Sequence, residues 1–420
     1  MNIGTKLLVF LAGTGILTAY VFFKPVPDGF ADATQYRLAA TLMQVFGNIN
    51  YVKMCLRDRR CPNVFEEILD TFAIGKGFFV DPPEEVPGSN IRSRMTSFDG
   101  IKVRVYEPIK RDGEGEMPAF LYFHGGGLAV GSIDLYDPAM RMIAERVDAI
   151  GIAVTYRLAP DHVFPAAFDD AFAATKWFLD HAREFGVDPR RVALMGDSAG
   201  GLLTALVSGA ITDEPSLPDI KLQVLLYPWI QSFDLNTPSM QKARCQKGDF
   251  GQIPDLASIM PYFVTAYVFG NHDDHLVRMI QANNHTSAAF KQSEFYQKHL
   301  SHDIIPSHMK PDCYVPPASY DVGDDEIWDS MKDVLTSTKY SPLYREDFTN
   351  LPRAFVATVG YDCIRDDGIF YARRLDDSGV PVKWVNYEKG YHGIPWFGEK
   401  AFEIGRQMAD DFIDYMKEHL

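Results

Sequence analysis

Arg191-Val192-Ala193-Leu194-Met195-Gly196-Asp197-Ser198-Ala199-Gly200-Gly201 runs from a short apolar segment straight into a serine set among glycines. Residues 191–195 read as a strand and residues 199–211 as a helix, so Ser198 falls on the turn between them. A serine there must take a cramped backbone conformation. Gly196 and Gly200 remove side chains that would collide around it. The turn lifts the Ser198 hydroxyl to the carboxyl end of a sheet. The amide of Ala199 then points out of a helix N-terminus, where positive partial charge favours an oxyanion. Gly-x-Ser-x-Gly on its own also suits any tight turn. Its place between a strand and a helix makes Ser198 a candidate nucleophile.

Upstream, the strand 119–123 is followed by His124-Gly125-Gly126-Gly127. Successive glycines free their N–H groups to face a ligand oxygen and permit positive φ. The stretch lacks the Lys and Ser/Thr of a nucleotide-binding loop. Gly125, Gly126 and Gly127, with Ala199, form the candidate oxyanion hole. Gly126 and Gly127 are its donors in the loop, and Gly125 shapes the turn. His124 reads as a brace for the loop. Downstream, Asp362 follows the strand 353–359, and His392 follows the strand 382–387 within Gly390-Tyr391-His392-Gly393. Serine needs a base to take its proton, histidine suits that task, and a carboxylate fixes the imidazole tautomer. Asp366 and Asp367 compete with Asp362, but they fall where a helix begins, and capping accounts for them. His419 lies one residue from the chain end. The order Ser198, Asp362, His392 is that of an α/β-hydrolase. Trypsin-like proteases need His and Asp before the serine.

Around these motifs, strands at 119–123, 150–156, 191–195, 222–227, 353–359 and 382–387 alternate with helices at 136–147, 166–184, 199–211, 366–378 and 399–418. Short apolar runs separated by helices argue for a mostly parallel sheet covered on both faces, an α/β fold. Residues 91–107 read as a hairpin turning at Asp99-Gly100. Residues 31–80 carry helical periodicity. Residues 230–345 break the rhythm with scattered helices and no strand. The expected organisation is an N-terminal anchor (1–24), N-terminal cap helices (25–90), a hydrolase core (91–229 and 346–420) and a cap or lid insertion (230–345).

The chain has 420 residues, 46% of them hydrophobic and 23% charged, which excludes a disordered, collagen-like or polytopic membrane protein. Its formal net charge of −15 gives nucleic-acid binding no electrostatic footing. Residues 7–23 carry no charge and would span about 26 Å as a helix, the short end of the membrane-spanning range. Lys6 and Lys24 flank them. A cleaved signal peptide is the alternative, but Leu17-Thr18-Ala19 is a poor cleavage site and the apolar run continues past it. An uncleaved single-pass anchor with a lumenal body is expected. Asn284-His285-Thr286 is the usable glycosylation sequon, since Asn236-Thr237-Pro238 fails. Five cysteines are too few for a disulfide scaffold. Cys55 and Cys61 are near enough to pair, Cys245 and Cys313 are a second possibility, and Cys363 reads as a passive neighbour of Asp362. Six histidines in 272–308, including His272-Asp273-Asp274-His275, show no convincing metal-ligand spacing and read as a solvated loop. Arg157 is expected to pair with Asp169 or Asp170.

His124–Gly127, Tyr156-Arg157-Leu158-Ala159-Pro160, Phe164-Pro165-Ala166, Gly196–Gly201 and Asp362-Cys363-Ile364-Arg365-Asp366-Asp367-Gly368 resemble the motifs of hormone-sensitive-lipase-type esterases. With the N-terminal apolar segment, the resemblance narrows to the arylacetamide deacetylase and neutral cholesterol ester hydrolase group, type II membrane esterases of the endoplasmic reticulum. It implies Ser198 as nucleophile, His392 as general base and acid, and Asp362 as orienting acid. It also implies oxyanion donors at Gly126, Gly127 and Ala199, no cofactor, and lipophilic esters or acetylated arylamines as substrates. Members of that group can join a cysteine near the glycine loop to one three residues before the acid. Here there is no cysteine near His124, and Val359 stands before Asp362. A non-catalytic binding or receptor module on the same fold is the competing class, and it normally loses a catalytic residue.

Overall fold

The computed structural model describes residues 32–35, 37, 82–110, 115–246, 256–271, 273–317, 320–394 and 402–420. Eight strands form one sheet: β1 (Ile91–Phe98), β2 (Ile101–Pro108), β3 (Met117–Phe123), β4 (Ile150–Val154), β5 (Val187–Asp197), β6 (Leu222–Leu226), β7 (Arg353–Tyr361) and β8 (Val382–Tyr391). Their spatial order is β1-β2-β4-β3-β5-β6-β7-β8. The β1–β2 and β2–β4 pairs are antiparallel, and every later pair is parallel. The β1–β2 turn is the expected one. Asp99 (φ 47°) and Gly100 (φ 82°) both take left-handed conformations, the geometry that follows strand twist in a two-residue hairpin.

Strands β3, β4 and β6 are buried along their whole length, as strands covered on both faces must be. Alternate side chains sort to the two faces. Phe120, Met195, Val224 and Phe355 pack under α1 (Asp137–Val147) and the last helix of the chain, 403–419. Leu121, Leu194, Leu225 and Val356 face α2 (Ala166–His181), α3 (Ala199–Thr212) and a helix over 365–377.

Between β6 and β7 the chain makes α4 (Pro238–Cys245), α5 (Leu256–Phe269), α6 (Asp274–Gln281), α7 (Ala288–Lys291), α8 (Glu294–His299) and α9 (Asp325–Leu335), with short 3₁₀ turns. Among the described residues this insertion holds no strand. After β7 come α10 (Arg365–Asp377), then β8 and α11 (Glu403–His419). A disulfide joins Cys245, the last residue of α4, to Cys313 across 68 residues of sequence. Cys363 is buried and lies outside that bond. Cys55, Cys61, the apolar segment 7–23 and nearly all of the N-terminal helical periodicity lie outside the described residues. Among those described, no helix is long and apolar enough to cross a membrane.

The strand expected over 382–387 is longer than its sequence reading: β8 continues to Tyr391. Register partners step from Val359–Tyr387 to Tyr361–Tyr391, which is an irregularity with extra residues on β8. A bulge of this kind re-aims whatever follows it, and here Asp362 and His392 follow the paired residues Tyr361 and Tyr391.

Candidate active site

Ser198 joins β5 to α3 with φ 54° and ψ −122°, a conformation that costs a non-glycine residue roughly 1–3 kcal/mol. Its neighbours over-determine that backbone. The Ser198 N–H donates to Leu226 O (2.9 Å), and Ser198 O accepts from Trp229 N (3.0 Å). A methyl group on Gly200 would lie 1.9 Å from the Phe123 carbonyl oxygen, and one on Gly196 would lie 2.2 Å from the Gly200 carbonyl oxygen. Both glycines are therefore demanded by close backbone approach.

The parallel strands β5, β6, β7 and β8 lie side by side, and each delivers a group to the same end of the sheet. Ser198 follows β5, Tyr227 follows β6, Asp362 follows β7 and His392 follows β8. His392 Nδ1 lies 2.8 Å from Asp362 Oδ2. A proton held on Nδ1 by that carboxylate leaves Nε2 as the basic nitrogen. The other Asp362 oxygen accepts from the Ile364 N–H (3.0 Å), so both oxygens are engaged. The Asp362 side chain is fully buried, whereas 15% of the His392 side chain remains exposed, enough to meet a ligand. The Tyr227 ring packs against the imidazole, with ring centres 4.7 Å apart.

The rival acids have other work, and it is not capping. The residue at the N-cap of α10 is Ile364, which makes no side-chain cap bond. Asp367 accepts from Ile230 N, Gln231 N and Gln231 Nε2, holding the chain that leaves β6. Asp366 pairs with Arg365 (2.6 Å) and accepts from Ser239 N (2.7 Å). His419 lies at the end of α11 against Arg353, the first residue of β7 and so at the opposite end of that strand from Asp362.

In the glycine loop, the Gly125 N–H donates to Asp197 Oδ1 (2.8 Å), so it is committed inside the protein, as suits a residue that shapes the turn and leaves donation to its neighbours. A Cβ on Gly125 would sit 2.6 Å from the same carboxylate. Buried Asp197 also accepts from the phenols of Tyr122 and Tyr136, and thereby ties the loop to the serine turn. Burial, reinforced by the Asp197 charge, pushes both phenols well above their ordinary pKa, so both stay protonated donors. Sequence reading passed over Asp197. The only signal was an acid inside an otherwise apolar and glycine-rich turn. His124 does brace the loop: its ring stacks on Tyr156 (4.5 Å), its Nδ1 lies 2.7 Å from Gly125 O, and the Tyr156 hydroxyl donates to His124 O. At Gly126 (φ 125°) a Cβ would lie 2.1 Å from the Val130 carbonyl oxygen. Gly127 (φ 61°) faces the Phe263 ring of α5 so closely that a Cβ would lie 2.4 Å from it.

Elsewhere, Arg157 forks onto Asp170, while Asp169 pairs with Lys339. The histidine-rich stretch is not a uniformly solvated loop. His285 is fully buried with Nε2 2.7 Å from Ser232 O, and buried His302 lies 2.9 Å from Asp234 and 3.1 Å from the Tyr314 hydroxyl. His275 and His308 are exposed, and His272 lies outside the described residues. Among the described residues, no three His, Cys, Asp or Glu side chains cluster as a metal site. Asn284 is partly exposed, while Thr286 of its sequon is buried and donates to Phe233 O (3.2 Å).

Burial lowers the His285 pKa to about 4, against 6.5 for the free side chain. The unfolded chain therefore binds this proton near pH 6.5 and the folded chain only near 4. Stability contributed by keeping His285 neutral is complete above pH 6.5 and falls as the pH drops towards 4, by up to about 3 kcal/mol. Urea midpoints of the protein should fall more steeply between pH 7 and 4.5 than those of His285→Gln.

The sequence also aligns with known proteins. A family model described as alpha/beta hydrolase fold matches residues 120–292 and 300–395. Arylacetamide deacetylase of Rattus norvegicus is 30% identical over 98% of this chain and 99% of its own length. The Bos taurus protein of that name is 32% identical over 97% of each chain. Neutral cholesterol ester hydrolase 1 of Rattus norvegicus is 34% identical over 77% of this chain and 79% of its own. Among solved structures, an ester hydrolase from the metagenome of Lake Arreo, bound to a bipyridine phosphonate derivative, superposes with a TM-score of 0.60. It is 27% identical and covers 89% of this chain and 97% of its own. An esterase of the archaeon Pyrobaculum calidifontis gives 0.56 at 27% identity, covering 90% and 97%.

Proposed function

The chain belongs to the α/β-hydrolase family, and from that premise we propose that it is a serine carboxylic ester hydrolase with Ser198 as nucleophile, His392 as general base and acid, and Asp362 as the orienting carboxylate. The observation that supports the reading is the Asp362–His392 hydrogen bond, at the same end of the sheet as the strained turn that carries Ser198. Ser198 Oγ attacks the ester carbonyl carbon as Nε2 of His392 takes its proton. The carbonyl electrons move onto oxygen, and the N–H groups of Gly126, Gly127 and Ala199 hold that oxyanion. The oxyanion collapses, His392 protonates the leaving alcohol, and an acyl-serine remains. Water then attacks the acyl carbon as His392 takes its proton, and the second oxyanion collapses, breaking the bond to Ser198 Oγ, which takes the proton back from His392 as the acid leaves.

Residues 230–345 would form the cap over this centre, on a core of 91–229 and 346–420; the cap helices expected over 25–90 lie mostly outside the described residues. The ring of Phe263 against Gly127 supports an apolar roof, and hence lipophilic esters and acetylated arylamines as substrates. The curated relatives are an arylacetamide deacetylase and a cholesterol ester hydrolase by name. Residues 7–23 anchor the chain in the endoplasmic reticulum membrane with the body in the lumen, where the Cys245–Cys313 disulfide fits an oxidising compartment. Asn284 would be glycosylated there during synthesis, before Thr286 becomes buried.

The test is a panel of p-nitrophenyl esters of rising acyl length, an acetylated arylamine, a cholesteryl ester and a peptide, run beside labelling with a fluorophosphonate. Turnover of the lipophilic esters or arylamide, with label on Ser198, is the expected result. Cleavage of the peptide alone, or failure to label, overturns the reading.

A further inference from the structure

The two-turn helix α4 grips the loop that carries Asp362 from both sides. On the far side of the acid, buried Ser239 donates through Oγ to Cys363 O (2.8 Å) and through its N–H to Asp366 Oδ2 (2.7 Å). On the near side, one turn along the helix, Lys242 Nζ donates to Gly360 O (3.0 Å) and lies 4.5 Å from the centre of the Tyr361 ring. Asp362 is the residue between these holds. Each hold answers a local need. Gly360 has no register partner at the β7–β8 irregularity, and it approaches Glu388 so closely that a Cβ would lie 2.0 Å from that carbonyl oxygen. A bulge leaves its polar groups to find partners outside the ladder, and Lys242 supplies one.

The helix is itself held at both ends. Thr237 caps its first turn by accepting from Met240 N. At the other end Cys245 is bonded to Cys313, and Gln241 exchanges two hydrogen bonds with Val315, one through Nε2 to the carbonyl (3.0 Å) and one through Oε1 from the N–H (2.8 Å). A fixed strut therefore stands behind the acid, and a carboxylate must be fixed if it is to hold an imidazole in one tautomer and orientation.

We propose that Ser239 and Lys242 are positioning residues for Asp362, holding its loop on both sides so that the carboxylate meets His392. This rests on the reading of Asp362 as the orienting acid. Lys242 faces Arg365 and Asp366 of α10 and Glu388 of β8. Burial, aided by Arg365, lowers its pKa to about 8. The ammonium makes a stronger hydrogen bond to Gly360 O than the neutral amine would. The hold thus weakens as the pH rises through about 8.

The experiment measures kcat and KM against pH on a p-nitrophenyl ester for Ser239→Ala, Lys242→Met and Lys242→Arg, with melting temperature alongside. Losing one such hydrogen bond should lower kcat about tenfold in Ser239→Ala and Lys242→Met, with KM within about twofold. The fall in kcat near pH 8 should be present in the unaltered protein, absent in Lys242→Met, and absent in Lys242→Arg, whose guanidinium stays charged and restores kcat. Should Ser239→Ala fail to fold, the two Lys242 variants decide. Ser198→Ala and Asp362→Asn are run beside them. If those two keep full turnover, the catalytic assignment itself is wrong. If they lose it while Lys242→Met keeps wild-type kcat at every pH, the positioning role alone is overturned.

Discussion

Ser198→Ala should lower kcat for p-nitrophenyl acetate by about 10⁴–10⁶ while leaving the fold intact. The size follows from what the hydroxyl does. Without Oγ no acyl-serine forms, and hydrolysis must proceed by direct attack of water on a bound ester. That residual path still benefits from oxyanion donors and substrate binding, which keeps the loss finite. The fold survives because alanine keeps the Cβ, so the strain at φ 54° is unchanged. The hydrogen bonds that hold the turn, to Leu226 O and from Trp229 N, belong to the backbone. Steady-state kinetics and a melting curve on one preparation check this. Wild-type turnover in the variant would remove Ser198 from the mechanism. A lowered melting temperature with normal kcat would make the turn merely structural.

Asp362→Asn should lower kcat by about 10³–10⁴, again with little change in stability. A carboxamide of the same shape fills the same buried space. Its NH₂ group, however, can donate to Nδ1 of His392 and so favour the tautomer that carries the proton on Nε2. A protonated Nε2 cannot accept the serine proton. The loss should ease at high pH if hydroxide can take over the base role, so a pH–rate profile is the informative measurement. Asp367→Asn is the contrast. Asp367 accepts three N–H donors from Ile230 and Gln231, and an amide nitrogen facing any of them would be repelled. That variant should lose stability and keep kcat per folded molecule within about tenfold. A reversed pattern would move the orienting role from Asp362 to Asp367.

Much of this architecture is legible in the chain because it is written locally. Alternating strand and helix runs, the Asp99-Gly100 turn and the glycines around Ser198 each express a steric rule acting over a few residues. The strand-to-helix elbow appears at the expected residues, with the hydroxyl-bearing position strained in the expected sense. Asp362 and His392 stand where strands end, and the bulge in β8 brings them into contact. The bulge itself was hidden, because it depends on how β8 pairs with β7, about 30 residues earlier in the chain.

The remainder depends on partners far along the chain. Gly125 and Asp197 are 72 residues apart, and no spacing rule says that the N–H of one goes to the carboxylate of the other. The same holds for Asp367 with Gln231, Ser239 with Cys363, and Cys245 with Cys313. His285 and His302 lie in a polar stretch, yet both are interior, against Ser232 and Asp234 some 50 to 70 residues earlier in the chain. Backbone sterics and hydrophobic period act between near neighbours, so elements and their order can be read from residue types alone. Hydrogen-bond partners, burial and protonation depend on which surfaces meet after folding, and only the packed chain decides them.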